Sequence, residues 1–262
     1  MWCGFAAPIA ARVTSRRCAT CVAFRGFAEH ADAASRSNTR VQQSVSIEQV
    51  LHAGLPDFPI DRQTLACLLR TRPPAGDIIR LVSSPELPVA RAAVVYFAVC
   101  GTMQDCPLLA LHLHHADDGV AAFAEYSLWS IWMQAGSPVG NRRLADAVGC
   151  IKRRSYARAV ELLDELNYDE PGFAEAHFQK GIALALLNRL EEAAAAYRQA
   201  LRLNPYHFAA AEALGHIAVE QGQLAAALEH YRRALRIHPR LTALAHAVRA
   251  LERVVQPDQT RL

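Results

Sequence analysis

The densest set of groups able to do chemistry is His112, His114 and His115, followed at once by Asp117 and Asp118. Imidazoles and carboxylates are common ligands of divalent metals, so such a cluster raises the question of a metal site. Helical geometry answers against it: His112 and His114 point apart, and only His112 and His115 share a face. A solvated helix end, where imidazoles sit near the negative pole of the macrodipole, accounts for the same residues. Glu212, His216 and Glu220 form a second set at i, i+4 and i+8 of one helix face, yet a metal there would need ligands from another helix and none stands out. The third set is Cys18-Ala-Thr-Cys21, half of a structural zinc site whose other ligands could come only from Cys3 and His30. No metal and no cofactor is expected from any of the three. A phosphate-cradling Gly-rich loop, a nucleophile elbow and His-Glu-x-x-His are all missing from the sequence, so the expectation is a chain that is not an enzyme.

The elements that position these residues are set by a repeat. From Gly172 to Pro239 a 34-residue unit is written twice: Gly181 aligns with Gly215, Leu190 with Leu224, Ala193 with Ala227, Tyr197 with Tyr231, Ala200-Leu201-Arg202 with Ala234-Leu235-Arg236, and Pro205 with Pro239. One more step back reaches Pro171, with Ala159 and Leu163 in the slots of Ala193 and Tyr197, which marks a worn third copy. Each unit reads as a helix (174–187), a polar turn at Asn188-Arg189 and a second helix (190–203). Gly181 and Gly215 each cost a helix about 1 kcal/mol relative to Ala, so their recurrence points to close approach of a neighbouring group. Tyr197 and Tyr231 are expected to fill the space between repeats. Pro205 and Pro239 end the second helices, because proline lacks the N–H donor and forces its predecessor out of helical geometry.

This pattern resembles the tetratricopeptide repeat family, a 34-residue helix–turn–helix with small residues, an aromatic and a terminal proline at fixed offsets. Departures from it are His177 and Ala211 where the early Trp is usual, and Ala147 and Cys150 in the worn copy. The resemblance implies an all-α helical-repeat solenoid, a superhelix of antiparallel helix pairs whose concave groove receives a partner. It also implies which side chains turn toward that groove: Leu144, Val148 and Lys152 in the first repeat, Phe178, Ile182 and Leu186 in the second, and Glu212, His216 and Glu220 in the third. The floor would be apolar at one end and acidic at the other. Only Lys152 and Asn141 could grip the acidic tails that chaperone-binding relatives hold, so the expected partner is instead a protein or peptide with apolar anchors and a basic flank. The alternative is an accessory or regulatory subunit whose groove is filled by its own N-terminal helices or by self-association.

Charge and cysteine narrow the classes further. The net charge is +3, and residues 1–45 hold six arginines against Glu29 and Asp32, a balance of +4 that leaves −1 for the remainder. A near-neutral folded part does not read as a nucleic-acid surface. The basic, Ser- and Ala-containing lead has the composition of an organellar transit peptide or a solvated tail, supplies no periodic apolar face, and is expected to contribute little to the fold. No run of about 18 apolar residues exists to span a bilayer, so no membrane role is expected. Seven cysteines, an odd number, sit mostly in helical patterns. That favours free thiols in a reducing, cytoplasmic setting, with Cys67, Cys100 and Cys150 as small core residues.

Residues 46–136 read as helical throughout. Ser46 and Gln49 make a capping-box pattern, Leu65, Leu68 and Leu69 mark a helix stopped by Pro73-Pro74, and further helices are expected over 77–82, 88–100, 107–115 and 119–134. Gly101 and Gly136 stand where left-handed caps would be wanted. A shift of 31 residues sets Val89 on Val120, Ala93 on Ala124, Phe97 on Leu128 and Cys100 on Ile131. That register is similar to short HEAT-like repeats, although Ala90 and Ala121 replace the Arg such repeats often carry. Trp129 and Trp132, at helical spacing, are expected to be core. Residues 137–171, 172–205 and 206–239 then form three repeats. A final helix over 240–256, with Leu241, Leu244, Ala245, Val248, Leu251 and Val255 on one face, covers the outward side of the last pair, as terminal repeats require.

Overall fold

The structure, a computed structural model, describes residues 55–255, so the expected helix after Ser46, the basic lead and the Cys18/Cys21 pair lie outside the described residues. Regular structure among those described is twelve α-helices and one 3-10 turn, with no strand. Two compact units divide the chain between Ala145 and Asp146, inside a helix rather than at the 136/137 boundary read from the sequence.

The unit ending at Ala145 contains α1 (Arg62–Thr71), α2 (Ala75–Val82), α3 (Leu87–Cys100), the 3-10 turn Met103–Asp105, α4 (Cys106–His112), α5 (Asp118–Met133) and the first half of α6 (Pro138–Lys152). Asp61 starts α1 by accepting the Gln63 N–H at 2.9 Å. The helix stops at Arg72, left-handed at φ 44, just ahead of Pro73. Residues 90–98 of α3 are all buried, and α1, α2 and α5 pack on it. A helix apolar on every side must lie inside. Trp129 and Trp132 of α5 are core residues in an edge-to-face pair 5.1 Å apart.

One charge interrupts α3, and it organises the unit. Arg91 directs Nε and Nη2 onto the two carboxylate oxygens of Asp117 at 3.0 and 2.7 Å and Nη1 onto the Pro59 carbonyl at 3.1 Å. The Phe58 ring lies 5.4 Å from the guanidinium carbon. Asp117 is also the N-cap of α5, accepting the Val120 N–H at 2.8 Å. Its carboxyl is held below the usual range chiefly by the hydrogen bond from Arg91. A side chain at Gly119 would place Cβ 2.5 Å from Arg91 Nε, so the clamp requires glycine there. Asp117 therefore belongs to the packing of this unit and not to a solvated helix end.

Other details of this unit differ from the sequence reading. Helix α4 ends at His112, leaving His114 and His115 in the following turn. Gly101 is extended (φ −72) and Gly222 is the one described glycine with positive φ, so neither Gly101 nor Gly136 is a left-handed cap. Space is the reason for Gly101, where a Cβ would stand 2.4 Å from the Phe97 carbonyl oxygen. Cys67 is exposed because Leu65 and Leu68 take the inner face of α1, whereas Cys100 is half-buried and Cys150 buried. Helices α3 and α5 do pack on each other, with Ala93, Phe97, Ala124 and Leu128 inside. Any two apolar helices would do the same, and the pairing identifies no HEAT-like family.

From Asp146 onward the helices are the rest of α6, then α7 (Tyr156–Asp169), α8 (Ala174–Leu186), α9 (Leu190–Leu203), α10 (Phe208–Glu220), α11 (Leu224–Ile237) and α12 (Thr242–Val255). Each from α7 to α12 packs on the next. The 34-residue period is present in the backbone itself. Left-handed residues recur at Arg154, Asn188 and Gly222 (φ 64, 60 and 72). The following amides reach back across each turn, Ser155 to the Cys150 carbonyl at 2.9 Å, Arg189 to Leu184 at 2.9 Å and Gln223 to Ala218 at 2.8 Å. This is the Schellman closure of a helix end. At the ends of the second helices the amides of Glu170, Asn204 and His238 bond Leu166, Ala200 and Ala234, each at 2.8 Å. The worn first copy thus turns by the same hydrogen bonds as the two good ones.

Gly181 and Gly215 have the close-approach role expected of them, within a hairpin. A Cβ would lie 2.5 Å from the ring of Tyr197 at the first and 2.3 Å from Tyr231 at the second. The tyrosines therefore fill the crossing inside their own helix pair. In the first copy the corresponding residues are Ala147 and Leu163, both fully buried, a larger residue on one side and a smaller one on the other. Helix α12 packs on α11 with Leu244, Val248 and Leu251 buried, and Arg232 donates to Glu252 across the pair at 2.7 Å.

Candidate partner-binding face

The residues expected to face a partner lie along the first helix of each repeat, and the structure sorts them into two groups. Leu144, Val148 and Phe178 are buried. The Phe178 ring sits 5.6 Å from that of Tyr197 and 4.3 Å from that of His207, which makes it part of the joint between consecutive repeats. Ile182, Glu212 and His216 are half-buried, while Lys152, Leu186 and Glu220 are exposed. The accessible part of the face is thus its C-terminal edge on each helix. It is apolar on α8, where Leu186 is 40% exposed, and acidic on α10.

A polar network under this face was not legible beforehand. Glu175, fully buried, accepts the Gln179 amide at 2.7 Å and meets His207 Nε2 at 3.2 Å. His207 begins α10 by accepting the Ala210 N–H on Nδ1 at 3.2 Å. With Nδ1 occupied as an acceptor, the ring proton lies on Nε2 and is donated to Glu175, so one imidazole caps a helix and satisfies a carboxylate of the preceding repeat. Buried carboxylates demand such partners. The signal in the sequence was only the i, i+4 spacing of Glu175 and Gln179. His207 stands 32 positions from Glu175.

The two chemistry-bearing sets that lie among the described residues are likewise engaged in structure. His216 Nδ1 is 2.7 Å from the Tyr231 hydroxyl and its Nε2 is 3.5 Å from Glu212. His112 and His115 do share a face, stacked at 6.3 Å. His112 Nδ1 lies 2.7 Å from the Leu108 carbonyl, and His115 Nδ1 accepts the Asp117 N–H at 3.0 Å. Among the described residues no group of three or more His, Cys, Asp or Glu is placed to hold a metal ion. Asn141 closes the turn before α6, accepting the Gly136 N–H at 3.0 Å and donating to the Gln134 carbonyl at 3.1 Å. It is thereby removed from the pair that could have gripped an acidic tail.

A family model for the tetratricopeptide repeat matches residues 151–208 and 187–241. Those residues are a tetratricopeptide-repeat array. The match begins in the first copy, where the Arg154 turn repeats the geometry of Asn188 and Gly222. Tetratricopeptide repeats in general mediate protein–protein interaction. A comparison with curated proteins returns no match. Among the described residues no helix is long and apolar enough to cross a membrane.

Proposed function

We propose that this chain is a non-catalytic scaffold whose tetratricopeptide repeats receive an extended peptide or partner helix with apolar anchors and a basic flank. The supporting observation is the split character of the accessible edge: Leu186 on α8, beside half-buried Ile182, offers an apolar seat, and Glu220 on α10 offers an exposed carboxylate one repeat further on, with half-buried Glu212 beneath it. An apolar anchor gains by leaving water, and a flanking Lys or Arg gains Coulomb energy beside the acidic helix. Affinity then comes from a few buried anchors and register from charge. Lys152 on α6 adds a cation at the opposite end. The free thiols at Cys67, Cys100, Cys106 and Cys150 suit a reducing, cytoplasmic setting.

The test is selection of peptides from a random displayed library on the full chain, repeated on Leu186→Asp. Enriched sequences should pair an aromatic or aliphatic anchor with Lys or Arg within a few residues. They should lose at least tenfold in affinity on the variant while its melting temperature is unchanged. Enrichment of acidic peptides, or equal binding to the variant, would defeat the reading.

A further inference from the structure

The sequence before the described residues carries the chemistry that this face asks for. Trp2, Phe5 and Ile9 provide bulky apolar side chains, and Arg12, Arg16, Arg17 and Arg25 follow with no carboxylate before Glu29. Apolar anchors with a basic flank are thus present in one stretch. The face offers its complement in the same two parts, exposed Leu186 with half-buried Ile182 on α8 and exposed Glu220 with half-buried Glu212 on α10. On the face itself the α10 edge is the acidic part, with Glu212 and Glu220 and no Lys or Arg between them.

We infer that residues 1–25 are an intramolecular occupant of the tetratricopeptide face, seated with Trp2, Phe5 or Ile9 against Ile182 and Leu186 and with the arginines beside Glu212 and Glu220. The inference rests on the face being a peptide-binding surface, as proposed above. Reach is no obstacle: about 30 residues separate Arg25 from Leu55, a span of roughly 100 Å when extended. Tethering makes docking a unimolecular event at an effective concentration of order millimolar, so a weak segment can hold the face against a dilute partner. An external partner must then displace the lead, and its apparent affinity falls by the fraction of chains whose face is free. Any factor that neutralises the arginines or engages the lead elsewhere opens the face. The lead acts as a ligand of the fold and not as one of its elements, consistent with its lack of a periodic apolar pattern.

Trypsin reads this directly in the full-length chain, because it cuts after Arg12, Arg16, Arg17 and Arg25. Release of peptides from residues 1–25 is followed by mass spectrometry for the wild type and for Leu186→Asp, Glu220→Lys and the double variant. Both substituted side chains are exposed, so the variants should fold; equal melting temperatures confirm that the comparison is valid, and Glu220→Gln serves if Lys disturbs α10. Docking predicts cleavage at least tenfold faster in the double variant and in wild type at 1 M salt, where the Debye length falls to about 3 Å. It also predicts a wild-type rate independent of protein concentration. Equal rates in wild type and variants overturn the inference, and a rate that slows with rising concentration overturns it in favour of a second copy's lead as occupant. If rates are equal while library peptides still bind the wild type, the lead inference fails and the binding face stands. If neither peptides nor lead engage the face, both fall.

Discussion

The two units reach stability by different routes. In residues 55–145 the decisive contacts join side chains far apart in sequence. Arg91 reaches back 32 positions to Pro59 and forward 26 to Asp117, and the Ser127 hydroxyl donates to the Val94 carbonyl at 2.9 Å across the α3/α5 contact. In residues 146–255 the same short-range hydrogen bonds recur every 34 residues, and each helix from α7 onward packs on its successor in the chain. A unit of the first kind concentrates its stability in one node, whereas a repeat array distributes it over equivalent turns and interfaces. A single substitution should therefore be felt most at the node and least at one of several equivalent turns.

The largest effect is expected at the node. Asp117→Ala leaves the Arg91 guanidinium, 9% exposed, without its carboxylate and removes the cap of α5. Breaking one partner of a buried pair costs about 3–5 kcal/mol, so chemical denaturation should show a loss of that order for residues 55–145. Hydrogen exchange over 156–237 should stay unchanged. A loss under 1 kcal/mol would show that solvent reaches the pair and that the unit does not depend on it.

A smaller loss is expected when one repeat is disturbed. Gly181→Ala pushes Cβ into the Tyr197 ring, and overpacking less the gain in helix propensity leaves about 1–2 kcal/mol. The pair Gly181→Ala with Tyr197→Leu copies Ala147 and Leu163 of the first repeat and should recover most of that loss. Thermal unfolding of the single and double variants checks it. If the double variant is worse than the sum of its parts, the first copy is not built on the same crossing.

A gain is expected at Arg154, which holds φ 64 where the third repeat has Gly222. A non-glycine residue in this region is strained by about 1 kcal/mol, so Arg154→Gly should stabilise by about that amount. Asn188→Gly should do less, because Asn tolerates the left-handed region. An unchanged or lowered melting temperature for Arg154→Gly would show that the Arg154 side chain contributes more than its backbone costs.

Acid should separate the units by direction and range. Burial lowers the pKa of His177, with Lys180 and Arg202 adding to it against the Pro171 carbonyl, and lowers that of His230, with Arg198 and Arg233 adding to it. The folded repeats then bind fewer protons than the unfolded chain below the ordinary histidine value of 6.5. Their stability falls as pH drops through and below that value. The lowered Asp117 carboxyl stabilises the other unit fully above its ordinary value of 3.8 and loses that contribution only as pH falls toward its folded pKa. Hydrogen exchange from pH 7 to 4 should therefore show protection lost first around His177 and His230. The opposite order would mean that other groups dominate the titration.

How much of this was legible beforehand follows from the range of the interactions. The second helix of the 172–205 copy is legible to the residue, 190–203, and is observed as Leu190–Leu203. Its start signal, the polar turn Asn188-Arg189, is local, and its stop signal, Pro205, recurs in register at Pro171 and Pro239. The tight crossing at Gly181 was legible because the repeat places the same small residue twice. Arg91 carried no such signal: a lone arginine in an apolar helix acquires meaning only when folding brings Asp117, Pro59 and Phe58 around it. Phe178 illustrates the same limit on the binding face. Its position on the first helix follows from the 34-residue register, but whether it meets a partner or the next repeat depends on how far His207 and Tyr197 close over it. Periodicity in the chain determined the helices, their order and their turns, because those depend on interactions within a few residues. Tertiary structure alone decided which charges are buried and which edge of each helix is left open, because desolvation is set by everything that surrounds a side chain and not by its neighbours in sequence.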